Sequence, residues 1–123
     1  FKFHIFSKSS TVLIENFNTL IKPIDKSSFL ESMRTSIGVI SNAGFQTSSE
    51  VLYLGKPLIV IPVKGQYEQF CNVAALKEIG VQSLLDLKQG SKEIIEKWMD
   101  ADPIKIRFQN NLENLLTEKM SKF

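Results

Sequence analysis

At 123 residues and 43% hydrophobic content the chain is long enough to bury one substantial core but small for an independent two-domain enzyme, so one globular domain is expected. Its 15 basic and 13 acidic residues leave a formal charge of +2, with no lysine and arginine run to track a phosphate backbone, and no nucleic-acid partner is expected. Cys71 is the single cysteine, so an internal disulfide is excluded and a metal cluster would rest on it and His4 alone; the expectations are no metal, no cofactor and a reducing, cytoplasmic setting.

The chain starts at Phe1 inside an apolar alternation of Phe1, Phe3 and Ile5, which suits a short buried strand and reads as a piece of something longer. A second strand is expected over 17–21, ended by Pro23, and Ser28 with Glu31 has capping-box spacing for a short helix bearing Phe29, Leu30 and Met33. A third strand, 37–40, leads through the turn at Ser41 to Gly44 into a helix that reaches Leu54 and stops at Gly55. Pro57 opens a strand over 58–63 whose continuous apolar character implies cover on both faces, as in parallel sheets. Gly65 then precedes a helix over 67–79, ended by Gly80, and 81–85 is the last expected strand. Ser91 caps a helix carrying Ile94, Ile95, Trp98 and Met99, and Phe108, Leu112, Leu115 and Leu116 space an amphipathic helix over 104–121. No stretch is long and apolar enough for a membrane span or a signal peptide. The alternation predicts an α/β fold, a Rossmann-like parallel sheet flanked by helices.

Two polar, glycine-marked turns follow strand ends, where helix amino termini present unpaired N–H groups and ligands collect. In Asn42-Ala43-Gly44-Phe45-Gln46-Thr47 the glycine and the helix start suit a diphosphate, and the competing reading is an ordinary strand-to-helix turn. Glu50 either completes a capping box with Thr47 or accepts hydrogen bonds from ribose hydroxyls. Gln66, Glu68 and Gln69 either grip the hydroxyls of a sugar or form a solvated helix start, and Asn72 is either a contact or a surface amide. His4 reads as a satisfied buried histidine, Cys71 as a small hydrophobe on a helix, and Trp98 and the phenylalanines as core.

The combined pattern Asn42-x-Gly44-x-x-Thr47-x-x-Glu50, Gly55-x-Pro57, Pro62 and Glu68-Gln69-x-x-Asn72 resembles the donor-binding half of GT-B glycosyltransferases over residues 37 to 80. That group includes plant and animal UDP-sugar transferases and the bacterial lipid-II N-acetylglucosaminyltransferase, and the stretch from Gly65 to Gln69 resembles uncharacterised bacterial members. The resemblance implies that residues 42–47 bind the diphosphate, Glu50 the ribose, and Gln66, Glu68 and Gln69 the donor sugar. Asn42 stands where many plant members have histidine, Phe45 where they have tryptophan, and Glu68 where aspartate is usual, which leaves the sugar's identity open.

The implied protein is a hexosyltransferase that moves a sugar from a nucleotide-diphosphate donor, UDP-linked, to an acceptor hydroxyl. Residues 1–123 would form a truncated donor domain, without its first strand-helix unit and without the amino-terminal acceptor domain that carries the catalytic base. The chain alone would be inactive, would leave sheet edges open to self-association, and would belong to an enzyme in the cytoplasm or peripheral to the membrane. The rival readings are a GT-B-related UDP-sugar 2-epimerase and a non-catalytic nucleotide-binding or assembly module.

Overall fold

The computed structural model describes residues 1–88, 91–104, 106 and 112–121. Chain order is β1 (Phe3–Ser7), β2 (Ile14–Asn16), β3 (Thr19–Pro23), α1 (Lys26–Thr35), β4 (Val39–Ser41), α2 (Phe45–Tyr53), β5 (Leu58–Val60), α3 (Tyr67–Glu78), β6 (Gln82–Ser83), α4 (Ser91–Met99) and α5 (Leu112–Met120). From β4 to β6 strand and helix alternate, and the fold is a Rossmann-like α/β arrangement of parallel strands flanked by helices.

The strands fall into two three-stranded sheets, ordered β1-β3-β2 and β4-β5-β6. The second is wholly parallel; in the first, β1 runs parallel to β3 and β2 antiparallel. β1 and β4 are outer strands, so one edge of each pairs with no strand among the described residues. Phe3 and Ile5 of β1 are accordingly exposed, and so is His4, which is not buried as expected. His4 Nδ1 instead shares a 2.9 Å hydrogen bond with Ser32 Oγ, and desolvation together with Lys22 and Lys2 holds its pKa below the ordinary value.

The strand expected from Phe17 begins at Thr19, because Phe17 and Asn18 form the two-residue turn of the β2–β3 hairpin. Phe17 sits at φ +46 and is fully exposed. Such turns normally carry Asn or Gly where φ is positive, so a phenylalanine there gives no turn signal. Other phenylalanines also lie outside the core: Phe1 and Phe45 are largely exposed.

α1 begins earlier than the Ser28 and Glu31 spacing suggests. Asp25 is its N-cap, accepting a 2.7 Å hydrogen bond from the Ser28 backbone N–H, which makes Ser28 the third helical residue. Glu31 then pairs with Arg34 instead of reaching back to a cap. Phe29 links the layers: its ring meets Phe6 edge to face at 5.2 Å and it also packs against the main core.

That core surrounds β5, whose three residues are all buried, with Met33 of α1, Val51 and Leu52 of α2 and Val73 of α3. β5 extends less far than the apolar run 58–63. The Ile61 N–H still donates to Ser41 O at 2.9 Å, but Pro62 has no N–H to continue the ladder. α2 closes in a Schellman motif, with Gly55 at φ +65 and the Lys56 N–H bonded to Val51 O. Trp98 packs so closely on the chain before β4 that a β-carbon at Gly38 would lie 2.6 Å from the indole Cη2. Cys71 is exposed on α3 and is not core.

The last helix is described over Leu112–Met120, and Ile104 and Ile106, expected within it, are non-helical and pack against the core. Phe108 and the side chains of Leu112, Leu115 and Leu116 lie outside the described residues. Among the described residues no helix is long and apolar enough to cross a membrane.

Removing the Asp25 carboxylate strips α1 of its cap. Asp25→Ala is expected to cost about 1 kcal/mol in denaturant unfolding, and Ser28→Ala less than about 0.5 kcal/mol. Equal losses would contradict this capping assignment.

Candidate functional site

β4 and β5 are paired in parallel with Ser41 opposite Val60, so the turns that leave their carboxyl ends start side by side. The first turn runs through Asn42 and Ala43 to Gly44, the N-cap of α2. The second runs through Pro62 and Val63 to Gln66, the N-cap of α3. Within it the Gln66 N–H donates to Val63 O at 3.1 Å, and Gly65, at φ +84, occupies the left-handed position that such a β-turn reserves for glycine.

One side chain joins the two turns. Gln69, on the first turn of α3 and 8% exposed, accepts from the Ala43 N–H at 3.2 Å and from the Val63 N–H at 2.8 Å through the same Oε1. Its Nε2 donates to Gln66 Oε1 at 2.9 Å. One helical turn on, Asn72 Nδ2 donates to Ala43 O at 2.9 Å, which settles Asn72 as a half-buried internal contact. Ala43, fully buried, thus has both backbone groups held by α3. The helical spacing of Gln69 and Asn72 is a sequence signal for a shared face; that the face receives the neighbouring turn is a tertiary fact.

Asn42 is exposed, and its Oδ1 accepts from the Gly44 N–H at 3.1 Å, a local Asx turn. A β-carbon on Gly44 would stand 2.9 Å from that oxygen, so the glycine makes room for the Asn42 side chain. With the Ala43 and Gly44 N–H groups engaged and Ser48 N–H bonded to Gly44 O, the backbone N–H groups of Phe45, Gln46 and Thr47 are without a partner among the described residues. These are the donors that a helix amino terminus offers to an anion, reinforced by the positive end of the helix dipole.

Thr47 is the third residue of α2 and makes no cap, so the capping-box reading of Thr47 and Glu50 does not describe this helix. Glu50 is half-buried and accepts from Gln46 Nε2 at 3.2 Å, one turn from the free amides. On the second turn Gln66 and Glu68 are exposed, and Glu68 lies in the first turn of α3. Asn42 to Thr47 thus follow the carboxyl end of β4 and Gln66 to Gln69 follow that of the adjacent β5, with Gln69 bonded to both turns, while Glu50 lies one helical turn further along α2 from Gln46. This face is open: a groove of about 360 Å3 between α2 and α3 touches Phe45, Ser48 and Asn72 but includes neither Glu50 nor the Gln66 to Gln69 segment.

Residues 3–103 match the family model described as glycosyl transferase family 1, and the chain belongs to that family as a GT-B glycosyltransferase domain. A particular relative is the UDP-N-acetylglucosamine--N-acetylmuramyl-(pentapeptide) pyrophosphoryl-undecaprenol N-acetylglucosamine transferase of Sulfurihydrogenibium sp. (strain YO3AOP1), 33% identical over 89 residues. The alignment covers 70% of this chain and 24% of that enzyme. No solved structure matches the chain significantly.

Because Thr47 is not a cap, Thr47→Ala is expected to change unfolding free energy by no more than about 0.5 kcal/mol. A loss of about 1 kcal/mol or more would return Thr47 to a capping role.

Proposed function

We propose that this chain is the donor-binding part of a longer glycosyltransferase that moves a hexose from a nucleotide-diphosphate sugar, UDP-linked, to an acceptor hydroxyl. The family membership supports glycosyl transfer. The observation that carries the donor assignment is the row of N–H groups at Phe45, Gln46 and Thr47 with no partner among the described residues, set beside a second turn bearing Gln66 and Glu68.

In this reading the free amides of α2 receive the diphosphate, and Asn42, Ala43 and Gly44 shape the turn that presents them. Glu50, one helical turn along, accepts from the ribose hydroxyls. Gln66 and Glu68, with the remaining N–H of Gln69, face the sugar. The acceptor oxygen attacks the anomeric carbon while the bond to the diphosphate breaks. The leaving group gains negative charge next to fixed N–H dipoles, which need no reorganisation to stabilise it. The base that takes the acceptor's proton belongs to the acceptor domain, outside these residues. Two observations support a larger protein: the relative is about four times the aligned length, and the outer edges of β1 and β4 pair with no strand among the described residues.

Product analysis of the intact protein with a UDP-sugar tests the reaction. Free UDP released only when an acceptor is present is the expected result; acceptor-independent inversion of the sugar, or no turnover with any acceptor, would overturn it.

For the ribose assignment, Glu50→Ala in the intact protein is expected to weaken UDP binding about tenfold, measured by calorimetry, with a fold as stable as the parent. Unchanged affinity in a well-folded variant removes Glu50 from the site. Glu68→Ala is expected to weaken the intact donor more than UDP, and an equal effect on both ligands would contradict a sugar contact.

A further inference from the structure

We propose that Gln69 and Asn72 act as a positioning clamp that fixes the phosphate-side turn against the sugar-side turn, so that the two halves of the donor are recognised by one rigid unit. The inference rests on the nucleotide-sugar reading of the turns.

An amide oxygen has two acceptor positions and its nitrogen two hydrogens. Both acceptor positions of Gln69 are taken by backbone N–H groups, those of Ala43 and Val63, and one hydrogen is taken by Gln66 Oε1. Only one N–H remains for a ligand, so Gln69 can donate to a sugar hydroxyl but cannot accept from one. Gln69 is itself 8% exposed, and Ala43 is fully buried, so nothing in solvent can replace the acceptor at the Ala43 N–H without opening the turn. Asn72 completes the grip by donating to Ala43 O, from the same face of α3 as Gln69. The residue after Ala43 is the N-cap of α2, so a shift of Ala43 reorients the N–H groups of Phe45, Gln46 and Thr47. Gln69 therefore controls the diphosphate subsite without touching a phosphate.

The test compares Gln69→Met and Gln69→Glu in the intact protein. Methionine removes the acceptor. Glutamate keeps an oxygen that accepts from both N–H groups but removes the N–H that binds Gln66. UDP, which has no sugar, is titrated against each variant by calorimetry. Gln69→Met, which adds no charge, is expected to weaken UDP about tenfold; Gln69→Glu adds a carboxylate beside the diphosphate subsite, so it is read by amide exchange and by a lost preference for the UDP-sugar over UDP. Equal UDP affinity in the parent and Gln69→Met would overturn the clamp and leave Gln69 as a sugar contact only.

Hydrogen exchange separates this from failure of the donor reading. If the parent does not bind UDP, the donor reading fails, while the clamp still requires protected Ala43 and Val63 amides whose protection falls in Gln69→Met and persists in Gln69→Glu. Unchanged protection in Gln69→Met would overturn it. Should Gln69→Met not fold, Asn72→Ala serves instead, with faster exchange at Ala43 and weaker UDP binding expected, and no change in either contradicting the clamp.

Discussion

Two backbone N–H groups from separate turns, Ala43 and Val63, end on one side-chain oxygen, that of Gln69. Each N–H lies where a strand has stopped supplying carbonyl partners, so without the glutamine both would face the cost of an unpaired amide, about 1–3 kcal/mol for a buried one. The buried Ala43 carries most of that risk. Satisfying both with one acceptor brings the turn after β4 and the turn after β5 to within a hydrogen bond of the same atom. The proximity of the two turns follows from this constraint.

The constraint works because the strands beneath it are rigid. β5 is covered on both faces and lies between β4 and β6 in a parallel sheet, so its carboxyl end has little freedom. Truncating a buried aliphatic side chain there, such as Ile59, leaves a cavity that neighbouring side chains fill only partly. α2 and α3 leave from adjacent positions, each starting with an N-cap that makes no side-chain cap bond. An uncapped helix start loses some stability but keeps its N–H groups free for a ligand. In α1 the Asp25 cap occupies such a donor, and nothing there suggests a site.

The second half of the chain was legible in sequence because its punctuation is chemical. Gly55 and Gly80 adopt positive φ at the ends of α2 and α3, where glycine is the favoured residue. The apolar run after Pro57 marks a buried parallel strand, and its early end reflects the missing N–H of Pro62. The first half was less legible. Phe17 in a positive-φ turn carries no turn chemistry, and Asp25 lies three residues before the serine whose spacing imitates a cap. His4 and Phe3 read as buried from alternation alone, but an outer strand with one open edge does not bury them.

The candidate residues could be named from spacing, but their division of labour could not. Spacing places Thr47 and Glu50 one turn apart without saying where α2 begins; only the start at Phe45 frees Glu50 from a cap. It also cannot show that the Asn42 side chain folds back onto the Gly44 N–H, or that Asn72 faces inward to a carbonyl. These are facts of tertiary packing. They leave the N–H groups at the start of α2 without a partner among the described residues, while Gln69 and Asn72 hold the turn that carries them, as preorganised recognition requires.

The central claim is that the free amides of Phe45, Gln46 and Thr47 receive a diphosphate. Titrating the isotope-labelled intact protein with UDP, while following backbone amide resonances, addresses it directly. The largest shifts are expected at those three residues, saturating together. Saturable UDP binding that leaves them unmoved would contradict it.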